Sequence, residues 1–326
     1  MRLQIYIHLI LIVLLASCNK DYDAQAPAGS GKMTFVPISV TVADYRCDSA
    51  TKSLKPYIPE VENLIYDVWV VQYSNRGVLL PSTIGHYRAN QDGTLVWAGE
   101  TFSESVANGI ALMESEDPCT VCFVANVDDN VPEWPDNIYA FREVMIPVLD
   151  TDESVNLTKL PLCGYYYGPV TYGQTINVSL GRMMTRINIV LNNQTGYDLS
   201  DVSVSITNAP RYAHIYPNIE ITMLGENERN ATRQMTDTDL YIPSGGSKKL
   251  YYYMAPNLYG ASWPTTLWTR CTMGDKPMVG TIVLGDGAPA DSDTGEYSTS
   301  VDTERDFRLY PNNQYTFTLN YVDNVQ

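Results

Sequence analysis

Apolar and polar residues alternate with a period of two along much of this chain, the spacing that turns one face of a strand to a core and the other to water. The pattern is cleanest near the end, where Tyr315, Phe317, Leu319 and Tyr321 interleave with Gln314, Thr316, Thr318 and Asn320. Arg182–Asn192 follows the same rule, with Met183, Thr185, Ile187, Ile189 and Leu191 on one face and Arg186, Asn188 and Asn192 on the other. In Leu199–Thr207, Val202, Val204 and Ile206 turn inward and Ser203 and Ser205 outward. Further strands are predicted over Met33–Val42, Thr94–Ala98, Cys119–Val127, Val144–Val148, Ile176–Leu180, Lys249–Met254, Thr266–Cys271 and Met278–Leu284. Asn63–Tyr73 is apolar at nearly every position, which predicts a strand covered on both faces. A helix is predicted only over Pro135–Arg142, a short one with Asp136 near its start.

Residues 1–18 depart from this pattern. Arg2 precedes the apolar stretch Ile5–Leu15, too short for the ~20 residues that cross a bilayer and suited to a cleaved secretory signal. Small residues at Ala16 and Ser17 give a signal peptidase access, and Cys18 directly after them offers the thiol that takes a diacylglycerol. The segment is therefore expected to be a lipoprotein signal, with the mature chain starting at Cys18. Each buried acyl methylene contributes ~0.8 kcal/mol, so several chains hold a folded domain on a membrane. An ordinary signal with a chance cysteine is the alternative. Residues 19–32, polar and rich in Ala, Gly and Pro, predict a flexible tether.

The 326 residues carry 21 Lys and Arg against 37 Asp and Glu, a net charge of −16. Such a surface repels nucleic acid and anionic membrane faces. Tyrosine is abundant at 24 residues and, with many Val, Ile and Thr, favours pleated, half-buried surfaces, so an all-β protein is expected. The length suits two domains. Leu160–Pro169, rich in Gly and Pro, separates two β-rich halves and predicts their junction, with one β-sandwich over 33–168 and a second over 169–326. Ala43–Glu60, with Arg46, Lys52, Lys55, Pro56 and Pro59, predicts a loop, as does the acidic stretch Gly285–Glu304.

Five cysteines follow Cys18: Cys47, Cys119, Cys122, Cys163 and Cys271. An odd number implies no complete disulfide framework. Cys119 and Cys122 have redox or zinc half-site spacing, but on a strand residues three apart point to opposite faces, so buried thiols are favoured over a redox pair. No cofactor or metal site is expected. Outside the signal only His86 and His214 could serve as imidazole bases, and neither sits in a nucleophile motif. Glu114, Glu116, Asp117, Asp128 and Asp129 are candidates by type for paired-carboxylate hydrolysis, with solvated loop acids the simpler expectation. Asp128-Asp129-Asn130 and Asp291-Ser292-Asp293 lack the Gly and terminal Glu of an EF-hand calcium loop. Trp97, Trp134, Trp263 and Trp268 with Tyr251, Tyr252 and Tyr253 could form a sugar-stacking platform, although such rings ordinarily fill sandwich cores.

Several of these stretches, in order, resemble the fimbrillin family, the FimA-type subunits of type V pili. They are the lipobox at Cys18; Asn63–Tyr73 with the turn Asn75-Arg76-Gly77; Cys122-Phe123-Val124-Ala125-Asn126; Leu160-Pro161-Leu162-Cys163-Gly164; Leu180–Ile187 with its arginines; and Tyr251-Tyr252-Tyr253-Met254-Ala255-Pro256-Asn257, where Ala-Pro-Asn stands in place of the family's Pro-Glu-Asn. The resemblance implies two tandem β-sandwich domains of transthyretin-like, Greek-key type and a structural, non-enzymatic subunit of a cell-surface fimbria. It further implies that a protease cuts after a basic residue beyond the first strand, here Arg46, with Lys52 and Lys55 behind it. Loss of Met33–Val42, with Met33, Phe35 and Val36 as its apolar entrance and Ile38, Val40 and Val42 sharing a face, would open a groove for a strand from another subunit. Tyr315–Val322 is the candidate donor, unless it completes the second sandwich. The implied partners are other fimbrial subunits, the outer membrane through lipid on Cys18 before processing, and a host or bacterial surface receptor. The alternatives are a lipid-retained anchor subunit, in which the first strand stays, and an outer-membrane lipoprotein that binds glycans.

Overall fold

The computed structural model describes residues 31–44, 46–47, 60–89, 95–97, 109–127, 134–147, 159–215, 232–285, 291–293 and 307–323. Cys18, Lys52, Lys55, Asp128 and Asp129 lie outside them. In the first half the strands are β1 (Met33–Val36), β2 (Ile38–Val42), β3 (Arg46–Cys47), β4 (Asp67–Tyr73), β5 (Gly85–Ala89), β6 (Leu95–Trp97), β7 (Ile110–Met113), β8 (Ser115–Ala125), β9 (Met145–Pro147), β10 (Leu162–Val170) and β11 (Ile176–Arg182). The second half holds β12 (Thr185–Asn193), β13 (Leu199–Pro210), β14 (Tyr212–His214), β15 (Thr232–Ile242), β16 (Ser247–Met254), β17 (Thr266–Met273), β18 (Lys276–Val283), β19 (Asp291–Asp293) and β20 (Asn313–Tyr321). The expected helix is α1 (Ile138–Arg142), capped by Asn137, whose side chain accepts from the Ala140 N–H and so satisfies one orphan donor of the first turn.

The expected all-β class holds, as sandwiches. In the first half a seven-stranded sheet, ordered β2-β11-β10-β8-β4-β5-β6, faces the small sheet β1-β7. Val36, Ile38, Val40, Val68, Val70, Ile110, Leu112, Val121, Phe123, Ile176, Val178 and Leu180 fill the space between. In the second half the sheet β16-β12-β20-β19 packs on β15-β13-β17-β18, with Ile187, Ile189, Val204, Ile206, Leu267, Phe317 and Leu319 among the core residues. A third apolar cluster joins the halves. It takes Val71, Tyr73, Cys122, Val124 and Cys163 from the outer face of the first sheet, Phe141 from α1, and Met183, Met184, Tyr253 and Ala255 from the second half. Strands β9 and β14 pair across the same seam.

Three expectations change. Leu160–Pro169 is not a break: β10 runs through it as an interior strand between β8 and β11. Its glycines mark close approach, since a Cβ at Gly164 would lie 2.9 Å from the Ser179 carbonyl oxygen of β11. The chain leaves the first sheet only after Arg182, beyond the junction expected at 168/169. The polar face of Arg182–Asn192 is covered too, with Arg186 only 2 % and Asn188 8 % exposed. Arg46, expected in a loop, lies on β3, paired parallel to β20.

Candidate functional site

The leading strand, β1 with β2, changes partners at Pro37. Before it, β1 pairs antiparallel with β7; after it, β2 pairs parallel with β11, Ile38 opposite Ile176 and Val42 opposite Leu180. Proline has no N–H to give a ladder, which suits a crossing point, while the Pro37 carbonyl still accepts from the Ile176 N–H. Gly109 makes room for the crossing. At its φ of +144° a Cβ would sit 2.5 Å from the Val36 carbonyl atoms.

In each of its two sheets the leading strand lies at an edge, bonded along one flank among the described residues. Its alternation runs unbroken through Pro37. Thr34, Val36, Ile38 and Val40 are buried, whereas Met33 and Phe35, expected at an apolar entrance, are 37 % and 40 % exposed, and Val42 is half-buried. Burying a Val or Ile side chain contributes ~1.5–3 kcal/mol, against ~1–2 kcal/mol per residue for ordering backbone. Three apolar side chains do not offset the ordering of ten residues, so retention depends on the single bonded flank.

Beneath the strand is a groove that needs it. Of β11, only Gly181 and Arg182 pair with β10. Among the described residues, the ladder of Ile176–Leu180 has β2 as its one partner. Ile176, Val178 and Leu180 point into the core and would line the vacated space.

Two arginines close the far end. Arg182, 2 % exposed, donates to the Ala43 carbonyl at 2.7 Å and to the side-chain oxygens of Asn312 and Asn63. Asn312 in turn donates to the Asp44 carbonyl at 2.9 Å. Arg186 pairs with Glu62 at 2.9 Å, both buried, and Tyr253 donates its hydroxyl to the same Glu62 oxygen. Burial, then the bond to Glu62, push the Tyr253 phenol well above its ordinary range. A buried ion pair needs such supporting partners to offset its desolvation.

The other sequence candidates are scattered. Glu114 pairs with Lys32, and Asp117 accepts from Asn75. His86 contacts Asp67 and stacks on Trp69, while His214 contacts the Arg142 carbonyl. The backbone of Asp291–Asp293 is β19. Trp134 packs against Phe141 near Trp69, Trp268 is exposed on β17, Trp263 is half-buried, Tyr252 and Tyr253 are buried, and Tyr251 lies under Arg186. No shared platform joins these rings among the described residues. Cys119 and Cys122 fall in different apolar clusters, and Cys119, Cys122, Cys163 and Cys271 are free and buried. Tyr315–Val322 is no projecting donor: β20 is flanked by β12 on one side and by β3 and β19 on the other. Gln72, Gly109 and Asn312 were missed, because their roles arise from contacts remote in sequence.

No protein-family model and no curated protein matches the chain. Solved structures do. A candidate cell adhesion protein from Parabacteroides distasonis aligns with a TM-score of 0.59 at 15 % identity, over 88 % of this chain and 89 % of its own. Another from Bacteroides eggerthii gives 0.54 at 12 %, over 90 % and 88 %. The tip fimbrial protein Mfa3 of Porphyromonas gingivalis, truncated at its C-terminus, gives 0.51 at 14 %, over 88 % and 94 %. The chain has the fold of these proteins.

Proposed function

We propose that this chain is a structural, non-enzymatic subunit of a cell-surface fimbria, exported as an outer-membrane lipoprotein through Cys18 and assembled by exchange of its leading strand. Cutting after Arg46, with Lys52 and Lys55 as further basic positions, frees Met33–Val42, and a strand of a neighbouring subunit replaces it. One observation carries the reading: the strand is bonded along one flank only, over a β11 ladder with no second partner among the described residues. An exposed ladder with alternate apolar pockets is the requirement for strand addition. The resemblance in fold to adhesion and fimbrial proteins agrees with it.

A lipid-retained anchor is the second reading, favoured by the pairing of Arg46–Cys47 with β20, which shields the cut. Treating the folded chain with an arginine-specific protease separates the two. Assembly predicts a discrete new N-terminus at Cys47 followed by oligomer ladders; an intact chain that stays monomeric supports the anchor and sinks the exchange. A monomer that instead binds saccharides on a glycan array belongs to a surface receptor.

A further inference from the structure

We propose that Arg182 sets how far the strand that replaces the leading one must reach, by demanding a main-chain carbonyl where that of Ala43 now sits. The inference rests on the strand-exchange reading above. Its starting point is the geometry at the end of the groove. The Arg182 guanidinium is held on three sides, by Asn63, Asn312 and Ala43. Two of those partners belong to the body of the subunit. The third, the Ala43 carbonyl, leaves with the strand.

A buried guanidinium that loses an acceptor carries the desolvation cost of its own charge. The vacated groove is therefore not uniformly apolar: pockets that held Thr34, Val36, Ile38 and Val40 end at a fixed cationic donor. Asn312, through its bond to the Asp44 carbonyl, adds a neutral donor one residue further on. Apolar alternation alone leaves register loose, since a slip of two residues again presents the same face. A charged donor at one end limits that freedom, because a segment that slips back and ends short of Arg182 leaves the guanidinium without the acceptor that Ala43 now supplies.

The partner is thereby described by its chemistry. It is an extended segment of a second subunit, running parallel to β11, with small or apolar side chains at four alternate positions and an acceptor carbonyl three residues beyond the last of them. Proline directly after that carbonyl is compatible with the site; a segment ending short of it is not.

The test uses the full chain, nicked after Arg46, and two labelled peptides of residues 33–44 with capped ends. One is the natural amide. In the other an ester links positions 43 and 44, which weakens the Ala43 carbonyl as an acceptor and keeps its shape. Exchange into the nicked protein is followed by fluorescence anisotropy. The ester peptide is expected to bind about fivefold more weakly, and the difference to vanish in Arg182→Met. Because the wild-type comparison needs no variant, it stands even if Arg182→Met does not fold. Equal binding of both peptides by the wild-type protein overturns the role of Arg182 and leaves strand exchange intact. Failure of both peptides to enter overturns strand exchange itself.

Discussion

The side-chain amide of Gln72 bonds the main chain of Met113 twice, accepting from its N–H at 2.8 Å and donating to its carbonyl at 2.9 Å. Gln72 is fully buried on β4, in the large sheet, whereas Met113 ends β7 and pairs with Met33 of the leading strand. One side chain thus does the work of a neighbouring strand and bolts the small sheet to the large one. Gln72→Leu leaves both Met113 groups without these partners and is expected to cost about 2–3 kcal/mol. Urea unfolding measures it, and an unchanged midpoint refutes the role.

Gly109→Ala is expected to destabilise the leading strand selectively. The added methyl meets Val36 and Pro37 backbone, and the φ of +144° is one that L residues rarely adopt, for about 1–3 kcal/mol. Hydrogen exchange at Val36–Val42 should accelerate while the β12–β20 pair stays protected; uniform loss across both halves contradicts this.

Thr34 is buried with its hydroxyl lacking a partner among the described residues. Such a group costs about 1–3 kcal/mol, so Thr34→Val, close in shape, should bind the strand more tightly. In the nicked protein the fragment should dissociate several-fold more slowly. Faster release would show that the hydroxyl is satisfied.

For the buried pair, Arg186→Met alone strands Glu62 and is expected to cost about 3–5 kcal/mol. Adding Glu62→Leu should restore much of that loss. Thermal unfolding of the two singles and the double gives the coupling, and strict additivity would mean that the charges do not interact.

Alkali should act through the buried thiols. Burial pushes Cys163 from its ordinary 9.0 up to about 12 and Cys271 to about 11, and it pushes Tyr87 from 10.0 to about 12. The folded-state values lie above the unfolded ones, so this stability is complete below pH 9 and is lost as pH rises toward 12, at about 1.4 kcal/mol per unit of difference for each group. Denaturation midpoints measured from pH 7 to 11 check it. Cys163→Ala should flatten the decline above pH 9.

Period-two alternation made β13 and β20 legible as strands, since one face of each meets the second core. It did not show that the polar face is covered too, as at Ser205, Gln314 and Asn320. The outward face of β12 reads as polar surface, yet Arg186 is buried against Glu62 and Tyr253, and Asn188 bonds Arg186 and Thr316, partners that come largely from segments distant in sequence. Gly and Pro misled at β10, because the same residues that end strands also let two backbones approach, as Gly164 does beneath β11. The leading strand itself was visible, and Ile38 and Val40 share a buried face as expected, but the set was drawn too short at its start. Pro37 moves the chain between sheets without resetting the alternation, so Thr34 and Val36 share the buried side with Ile38 and Val40. The sequence also named the arginine-bearing segment at 180–187; the Ala43 carbonyl that Arg182 holds is a main-chain atom, which no pattern of side chains reveals.

The parallel match of Ile38–Val42 with Ile176–Leu180 has a kinetic corollary. Parallel partners so far apart along the chain close a very large loop, and contacts of that kind form late. Met33–Val36 finds its partner in β7, but Ile38–Val42 has no ladder to dock on until β11 exists. It is the final piece to settle, and at an unsupported margin it is also the first to come away.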